Sequence, residues 1–151
     1  MKAHQGQTVS VVGDRYTFLV VGEQSGGAFA MFEFVVPPDH GPPPHIHRRE
    51  DEVFHVLEGT FEFTVAGQRH RLGPGDTLYG ERGIAHTFKN VGEGVGRMIA
   101  VVAPAGLENF FAEVGTPLPR RDALPIEATS DDLARLLAAA PRYGLELLRP
   151  G

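Results

Sequence analysis

The segment from residue 41 to residue 52 brings two histidines and a carboxylate close together in the chain. It begins Gly-Pro-Pro-Pro, and His45 and His47 follow, two residues apart. Successive side chains of a β-strand point to opposite faces, so this spacing predicts that both imidazoles point to the same side of one strand. Glu52 opens the apolar run that continues to Leu57, and its carboxylate can reach the same centre. Imidazole nitrogen with one carboxylate oxygen suits a divalent first-row transition metal.

The three prolines before His45 restrict how the chain reaches these ligands. Proline has no N–H to donate to a sheet, and it also biases the preceding residue toward extended backbone. We therefore expect a stiff, extended segment that delivers the two histidines with little conformational freedom left to lose.

A second segment, residues 75–90, adds a fourth candidate ligand. A turn at Gly75 leads into an apolar stretch, and a second turn at Gly83 is followed by His86. Together with the ligands of the first segment, His86 completes a predicted set of three imidazoles and one carboxylate around one divalent ion. A six-coordinate ion held in this way keeps two positions open, for substrate and for dioxygen or water.

The composition argues against several classes of protein. Fourteen Lys and Arg against nineteen Asp and Glu give a net charge of -5, so the broad positive field of a nucleic-acid binder is missing. The chain has no cysteine, which excludes disulfides, thiolate ligands and a cysteine nucleophile. The start of the chain is too polar for a signal peptide, and no apolar run approaches the roughly 20 residues that span a bilayer. We expect a soluble cytoplasmic protein with no membrane partner.

The first hundred residues have the pattern of an all-β sandwich or barrel. Nineteen glycines and twelve prolines fall at short intervals, and brief runs of β-branched and aromatic residues lie between them. We expect consecutive strands to pair antiparallel, with tight hairpin turns at Glu58-Gly59 and Ala66-Gly67. Predicted strands are 8–12, 16–21, 28–36, 52–57, 60–66, 68–72, 77–79, 86–90 and 95–103.

The character of the chain changes after Pro104. Residues 106–113 predict a short helix, and the prolines that follow mark an irregular crossing. A second helix is predicted before Pro141, with Ser130 or Thr129 as its cap and two aspartates in its first turn. Its apolar stripe is expected to pack against the outside of the barrel or against a second subunit; it consists of Leu133, Leu136, Leu137 and Ala140.

The two histidine segments resemble the paired motifs of the cupin superfamily. The first motif is matched by His45, His47, Glu52 and Gly59, and the second by Gly75, Gly83, His86 and Asn90. Two departures leave the ligand positions untouched: Glu81 stands where the family usually has proline, and Gly41 lies closer to His45 than the family pattern has it. The signal is specific because two separated motifs agree in register.

This resemblance implies a small single-domain cupin with an antiparallel double-stranded β-helix, or jelly-roll, barrel. We assign residues 1–151 to one domain, with the barrel at about 7–104 and a helical C-terminal extension at about 105–151. Since the barrel has an exposed edge and an apolar helix follows it, we also expect a homodimer that uses the N-terminal strands or the C-terminal extension.

The resemblance also implies the cofactor and a class of reaction. One divalent transition metal is expected, and iron, nickel, manganese, zinc and copper all remain open. A likeness to quercetinase-like cupins implies a dioxygenase in which the oxygen of a small enolic or phenolic substrate ligates the metal and Glu52 accepts the proton. Because fold does not determine function, a non-catalytic small-molecule-binding or regulatory cupin stays open, as does a metal-dependent isomerase, lyase or cyclase.

Other residues near the motifs are weighed by strand parity. His55 alternates with Glu52 and should point to the opposite face. Glu50 and Asp51 are neighbouring carboxylates, but the position of Glu52 at the head of the apolar run favours Glu52.

Tyr79 is mainly a strand residue, although its hydroxyl is a candidate for the pocket. His40 and His70 are expected at the surface or in turns, and Phe32, Phe34, Phe54 and Phe88 in the core or around a dry pocket.

Overall fold

The computed structural model describes residues 2–148 and contains two antiparallel sheets packed face to face. The strands are β1 (Thr8–Val11), β2 (Asp14–Val20), β3 (Ala30–Val36), β4 (His45–His47), β5 (Asp51–Glu58), β6 (Phe61–Val65), β7 (Gln68–Leu72), β8 (Thr77–Gly80), β9 (His86–Asn90), β10 (Gly96–Ala103), β11 (Thr116–Pro117) and β12 (Leu145–Leu147). The helices are α1 (Gly22–Ser25), α2 (Leu107–Val114) and α3 (Ser130–Ala139), and a 3₁₀ helix follows over Ala140–Tyr143. Every strand predicted from the sequence is present. The short elements α1, β11 and β12 were not predicted.

Consecutive strands mostly do not pair, so the expected consecutive pairing is wrong. The first sheet has the order β11-β1-β2-β3-β10-β5-β8, and the second has β12-β4-β9-β6-β7. Only three pairs of consecutive strands are hydrogen-bonded among β1 to β10: β1 with β2, β2 with β3, and β6 with β7. Each of the remaining connections between consecutive strands crosses from one sheet to the other. Crossing lets the apolar inner face of each sheet cover that of the other, whereas a single meander would leave one face in water. The result is the predicted double-stranded β-helix.

The alternation of side chains in β5 and β10 shows why these residues form central strands. In β5 the side chains of Glu52, Phe54 and Val56 are buried and those between them are more exposed. Its neighbour β10 alternates in the same way, and Ala100 lies opposite Phe54 in the register between the two strands. The period of two therefore places Glu52 on the inner face of the first sheet.

Aromatic side chains fill the space between the sheets. Phe54 of the first sheet lies 5.0 Å from Phe63 and 5.9 Å from Phe88 of the second, measured between ring centroids. Phe34 continues this cluster toward β2, with its ring 4.2 Å from that of Tyr16. Burial of one such side chain stabilises the fold by about 1.5–3 kcal/mol. The predicted core phenylalanines are all buried.

The two predicted hairpin turns have different outcomes. Ala66 and Gly67 both have positive φ, 50° and 81°, and join β6 to its partner β7 in a two-residue turn, as predicted. Gly59 also has positive φ, but the turn at Glu58-Gly59 leads from β5 in the first sheet to β6 in the second. The hairpin prediction there is wrong, because a glycine that permits a sharp turn does not decide which strand will pair next.

The C-terminal extension packs across one end of the barrel. Helix α3 begins at the cap residue Thr129, whose hydroxyl accepts a hydrogen bond from the Asp132 N–H at 3.1 Å. Of the predicted apolar stripe, Leu136 and Ala140 are buried, but Leu133 and Leu137 are exposed. Strand β12 then pairs antiparallel with β4, which carries two of the candidate ligands.

The assignment of residues 1–151 to a single domain stays a prediction, and residues 1 and 149–151 lie outside the described part of the chain. Over residues 2–148, none of the helices has the length and apolar character that crossing a membrane would require.

Asp14 is a buried acidic residue that the sequence did not single out. Its side chain is 1% exposed, and within residues 2–148 neither carboxylate oxygen has a hydrogen-bond partner of normal geometry. The nearest cationic candidate is Nδ1 of His40, 3.5 Å away. Burial raises the pKa of Asp14 from 3.8 to about 8, and the hydroxyl of Tyr16, two residues along the same face of β2, opposes part of this rise.

We predict that replacing Asp14 with asparagine makes the protein more stable than wild type at pH 8, by about 1 kcal/mol or more. The unfolded chain loses the Asp14 proton near pH 3.8, whereas the folded chain keeps it until about pH 8, so wild-type stability from this group falls as pH rises through that window. Urea unfolding of both proteins at pH 5 and pH 8 measures the difference. Exposed Asp39, changed to asparagine, is the control, and a difference that does not grow with pH would contradict the prediction.

Candidate metal centre

The four predicted ligands converge between the two sheets. His45 and His47 are both buried on β4, and Ile46 between them points the other way. His86 begins β9 and lies directly opposite His45 in the register of the second sheet. Glu52 approaches from the first sheet, on the inner face of β5. Three strands from two sheets therefore supply three imidazoles and one carboxylate to one point.

The distances within this group suit a single ion. One ligand atom from each of the four residues can be chosen so that all lie within 4.8 Å of one another, and all four side chains are buried. Glu52 Oε1 lies 3.1 Å from Nε2 of His47 and 3.4 Å from Nε2 of His86. Donor atoms this close together can bind the same ion.

Hydrogen bonds on the far side of two rings set their orientation. His45 Nδ1 lies 2.8 Å from the carbonyl oxygen of Pro43, which can only accept, so this nitrogen carries the hydrogen. His47 Nδ1 lies 3.1 Å from Glu50 Oε1. In both rings Nε2 is then the nitrogen left to face the centre, which is the arrangement typical of metal-bound histidine.

The unpaired ring nitrogens of His86 indicate whether a metal ion fits the site. Both of its ring nitrogens are buried and neither has a hydrogen-bond partner of normal geometry in the described chain. An unpaired buried polar atom is costly, and Nε2 faces the Glu52 carboxylate at the centre of the group. A divalent ion between these donors would satisfy that nitrogen, so the residues present fit the metal that the sequence predicts.

The charges of the site are coupled. Burial, together with the smaller effect of the neighbouring imidazoles, lowers the pKa of His45 to about 3, so His45 is neutral. Burial also opposes protonation of His47, but the carboxylates of Glu50 and Glu52 outweigh it and raise the pKa of His47 to about 9. Burial alone would raise the pKa of Glu52, yet its contacts with His47 and His86 lower it to about 2. A metal ion that binds here must displace the His47 proton, so its affinity should rise with pH.

Glu50 is a site residue that the sequence analysis set aside. It is 3% exposed and contacts the ligand His47 rather than the centre itself. The available signal was its spacing, since a carboxylate three residues after a ligating histidine can turn back toward that ring. Asp51, the other neighbouring carboxylate, instead accepts a hydrogen bond from the backbone N–H of Arg82 at 2.8 Å.

The remaining candidates lie away from the centre. His55 points to the outer face of β5, as predicted, where its Nδ1 lies 2.7 Å from the Thr77 hydroxyl. Tyr79 is 58% exposed on β8, so its suggested role in the pocket is wrong. His40 and His70 are exposed, in agreement with their predicted surface positions.

Two motif residues act through the backbone rather than as ligands. A Cβ on Gly41 would lie 1.9 Å from the carbonyl oxygen of Phe88, so only glycine lets the proline segment pass this close to β9. The fully buried Asn90 amide donates to the carbonyl oxygens of Val36 and Gly94, both at 2.9 Å. Asn90 therefore ties the end of β9 to the neighbouring loop and strand.

A narrow apolar cavity of about 50 Å³ opens beside the ligands. Of the residues that line it, Tyr16 is the one polar side chain besides the candidate ligands. Burial and the carboxylates of Asp14 and Glu52 raise the pKa of Tyr16 well above its ordinary value, so its hydroxyl stays protonated. Its position inside a strand hid this tyrosine from the sequence analysis. The cavity is lined by Val11, Val12, Tyr16, Phe34, Pro42, Pro43, His45, His47, Glu52, Phe54, Phe88, Leu107, Phe110, Phe111, Leu136, Leu145 and Leu147.

Comparison with known families agrees with the motif reading. Residues 32–102 match the family model described as Cupin domain. The match includes all four candidate ligands and ends at β10, so the C-terminal extension lies outside it.

Individual relatives share the fold at low identity. The chain is 22% identical over 148 residues to quercetin 2,3-dioxygenase of Bacillus subtilis, a match that covers 91% of this chain and 44% of that protein. A predicted oxalate decarboxylase of Thermotoga maritima superposes with a TM-score of 0.59 and 21% identity, over 69% of this chain and 99% of the other. A cupin-superfamily sugar phosphate isomerase of Silicibacter pomeroyi gives 0.52 and 23%, over 60% of this chain and 59% of the other.

The chain spans half or less of the length of the curated relatives it matches. The solved structures, all of low identity, show the fold and differ in the activities that they are named for. The comparisons therefore support a cupin fold with a candidate metal site and leave the reaction open.

We predict that alanine at any one of His45, His47, Glu52 or His86 sharply lowers metal content. Each substitution removes one of four donors that meet at the same point. Metal analysis of each purified variant, after loading with one divalent ion and removal of the excess, measures the effect. His55→Ala is the matched control, because His55 lies on the same strand as Glu52 and faces outward. An empty His55 variant together with a fully loaded His86 variant would contradict the assignment.

We also predict that Glu50→Gln weakens metal binding by about 10–100-fold, as is typical when a partner of a ligating histidine is altered. Glutamine keeps the shape of Glu50 but loses the charge that favours the His47 Nδ1 hydrogen. Competition with a chromophoric chelator measures the metal affinity of each protein. The pH dependence of this affinity should also differ between wild type and Glu50→Gln. Asp51→Asn is the control for a lost carboxylate nearby. Equal affinities for wild type and Glu50→Gln would show that Glu50 does not position the ligand.

Proposed function

Starting from the cupin domain at residues 32–102, we propose that this protein is a metal-dependent oxygenase that acts on a small enolic or phenolic substrate. The observation that carries the proposal is the meeting of three imidazoles and one carboxylate at the end of an apolar, aromatic-walled cavity. A redox-active ion bound there would supply a site at which substrate and dioxygen are activated together. The distant likeness to quercetin 2,3-dioxygenase supports the same class of reaction.

The residues of the chain have separate roles in this proposal. His45, His47 and His86 would hold the metal, with iron, nickel, manganese, zinc or copper as the candidate ions. Glu52 is the one carboxylate among the lining residues, so it is the candidate to accept the proton of an enol or phenol. For this step the Glu52 oxygens must first give up their contacts with the histidine rings, because those contacts hold its pKa low.

The cavity wall favours chemistry in a dry environment. Phe34, Phe54 and Phe88 surround the approach to the ligands, and water excluded by such walls cannot hydrolyse or protonate a reactive species. Tyr16 also lines the cavity, and its hydroxyl, which contacts the buried Asp14 carboxyl, is the candidate to donate a hydrogen bond to a substrate oxygen. A single donor of this kind orients a ligand, while the apolar walls contribute affinity.

A homodimer remains part of the proposal. It rests on four large apolar side chains of the C-terminal extension that are exposed in a single chain and that a second subunit would cover. They are Leu124, Ile126, Leu133 and Leu137.

Oxygen uptake tests the proposed reaction. Protein loaded separately with iron, nickel, manganese or copper is offered a panel of enols and phenols in an oxygen electrode. We expect uptake with at least one ion, and we expect it to be abolished in Glu52→Ala. Tyr16→Phe should keep the metal but raise KM, because it removes a hydrogen-bond donor from the cavity without touching a ligand.

The contrary outcome separates the alternatives. If no ion supports uptake and yet the panel compounds bind, the site is that of a binding protein or of a metal-dependent isomerase, lyase or cyclase. Product analysis by mass spectrometry under nitrogen then distinguishes binding from non-oxidative turnover.

A further inference from the structure

The cavity beside the ligands is closed by a part of the chain that follows the matched cupin segment. Six of its lining side chains come from α2, α3 and β12, and all are aliphatic or aromatic. We call this set the C-terminal wall; it consists of Leu107, Phe110, Phe111, Leu136, Leu145 and Leu147. The cupin match ends at residue 102, so the wall belongs to the extension of this chain.

The wall is attached to the strand that carries the ligands. Leu145 lies opposite His47 and Leu147 opposite His45 in the register between β12 and β4. Backbone hydrogen bonds extend this attachment at both ends, from Arg48 N–H to the Gly144 carbonyl and from Leu148 N–H to the Pro44 carbonyl, both at 2.8 Å. The wall cannot retreat from the cavity without the loss of these sheet hydrogen bonds.

Side-chain contacts connect the helical parts of the wall. The Tyr143 hydroxyl donates to Glu113 Oε1 at 2.9 Å, and Arg142 forms an ion pair with the same carboxylate. These contacts link the 3₁₀ helix to α2, so the segments on either side of the cavity are held together. The wall is therefore a built part of the fold rather than a loop lying over the site.

The cavity volume sets an upper limit on what the wall admits. The cavity measures about 50 Å³, whereas an apolar protein cavity that takes up benzene measures about 150 Å³. The space between the wall and the ligands is therefore about one third of the volume that takes up benzene, and it suits a chelating group with one or two carbon substituents better than a six-membered ring. The side chains of the wall offer no polar atom. A ligand that chelates the metal with one end and carries a charged group at its other end would therefore bury that charge without a partner.

We propose that the C-terminal wall is a size filter that restricts the metal site to small acyclic chelating ligands with one polar end, such as enolisable dicarbonyl compounds, and that it excludes aromatic ones. This inference rests on the proposed function and narrows it, since it selects the enolic over the phenolic class of substrate. The specificity-determining residues are then those of the wall, and Leu136, 5% exposed on α3, is the one most simply reduced in size.

A matched pair of ligands tests the filter in the full-length protein. Acetohydroxamate and benzohydroxamate present the same chelating group, and they differ only in a methyl against a phenyl substituent. Calorimetry with the nickel-loaded protein should show that wild type binds benzohydroxamate more weakly than acetohydroxamate by about ten-fold or more. Leu136→Ala removes an isopropyl group from the wall and should reduce this difference several-fold, about as much as one or two carbon atoms are worth in an apolar pocket.

The control is Leu137→Ala, the same substitution at the next residue of the same helix. Leu137 is 50% exposed and does not line the cavity, so this variant should keep the wild-type preference. If Leu136→Ala does not fold, Leu147→Ala replaces it in the same measurements, because Leu147 belongs to the wall and lies on the edge strand β12. Equal affinity of wild type for the two hydroxamates would overturn the proposal, as would a Leu137 variant that changes selectivity as much as the Leu136 variant.

A measurement without metal separates this inference from the proposed function. Benzene should raise the melting temperature of metal-free Leu136→Ala and leave that of metal-free wild type and Leu137→Ala unchanged. If none of the candidate ions binds but benzene distinguishes the variants in this way, the proposed function fails and the filter stands. If benzene stabilises wild type as much as Leu136→Ala, the filter is overturned whether or not metal binds.

Discussion

The structure depends on the burial of one carboxylate among three imidazoles. An isolated buried carboxylate would be too costly to keep charged, and Glu52 is 3% exposed. Its contacts with His47 and His86 hold its pKa at about 2, and Glu50 on the far side of His47 keeps that ring positively charged. The site is thus stable as a charged group even before a metal binds, and it presents donors that are already oriented.

This arrangement explains the strand order. Three histidines on β4 and β9 can meet Glu52 on β5 only if the two sheets face each other across a shared interior. The aromatic rings fill the rest of that interior, and Phe54 and Phe88 contact each other across the sheets directly below the ligands. Core packing and ligand placement are therefore satisfied by the same alternation of side chains.

The extension after residue 103 adds one wall to the cavity beside the candidate ligands. It contributes an edge strand to the sheet that holds three of the candidate ligands, and it places apolar side chains opposite the two on β4. A site with the same four donors but without this wall would be open to larger and more polar ligands. In the function that we propose, the candidate ligands would supply the metal chemistry, while residues far from them in sequence would select the substrate.

The sequence by itself determined the four candidate ligands that converge in the structure, the β class and the strand positions, because all three depend on local periodicity and on motif spacing. Strand parity correctly placed His45 and His47 together and His55 on the opposite face. The C-terminal helices were also predicted, since caps such as Thr129 act within a single turn.

Only the tertiary structure decided which strands pair, which residues support the ligands and how large the cavity is. The turn at Gly59 changes sheets although its sequence suits a hairpin, and Tyr16 rather than Tyr79 reaches the cavity. β12 was missed because three residues carry too weak a pattern to reveal that they pair with β4. Pairing and cavity shape depend on contacts between residues about a hundred positions apart, and local sequence patterns do not encode such contacts.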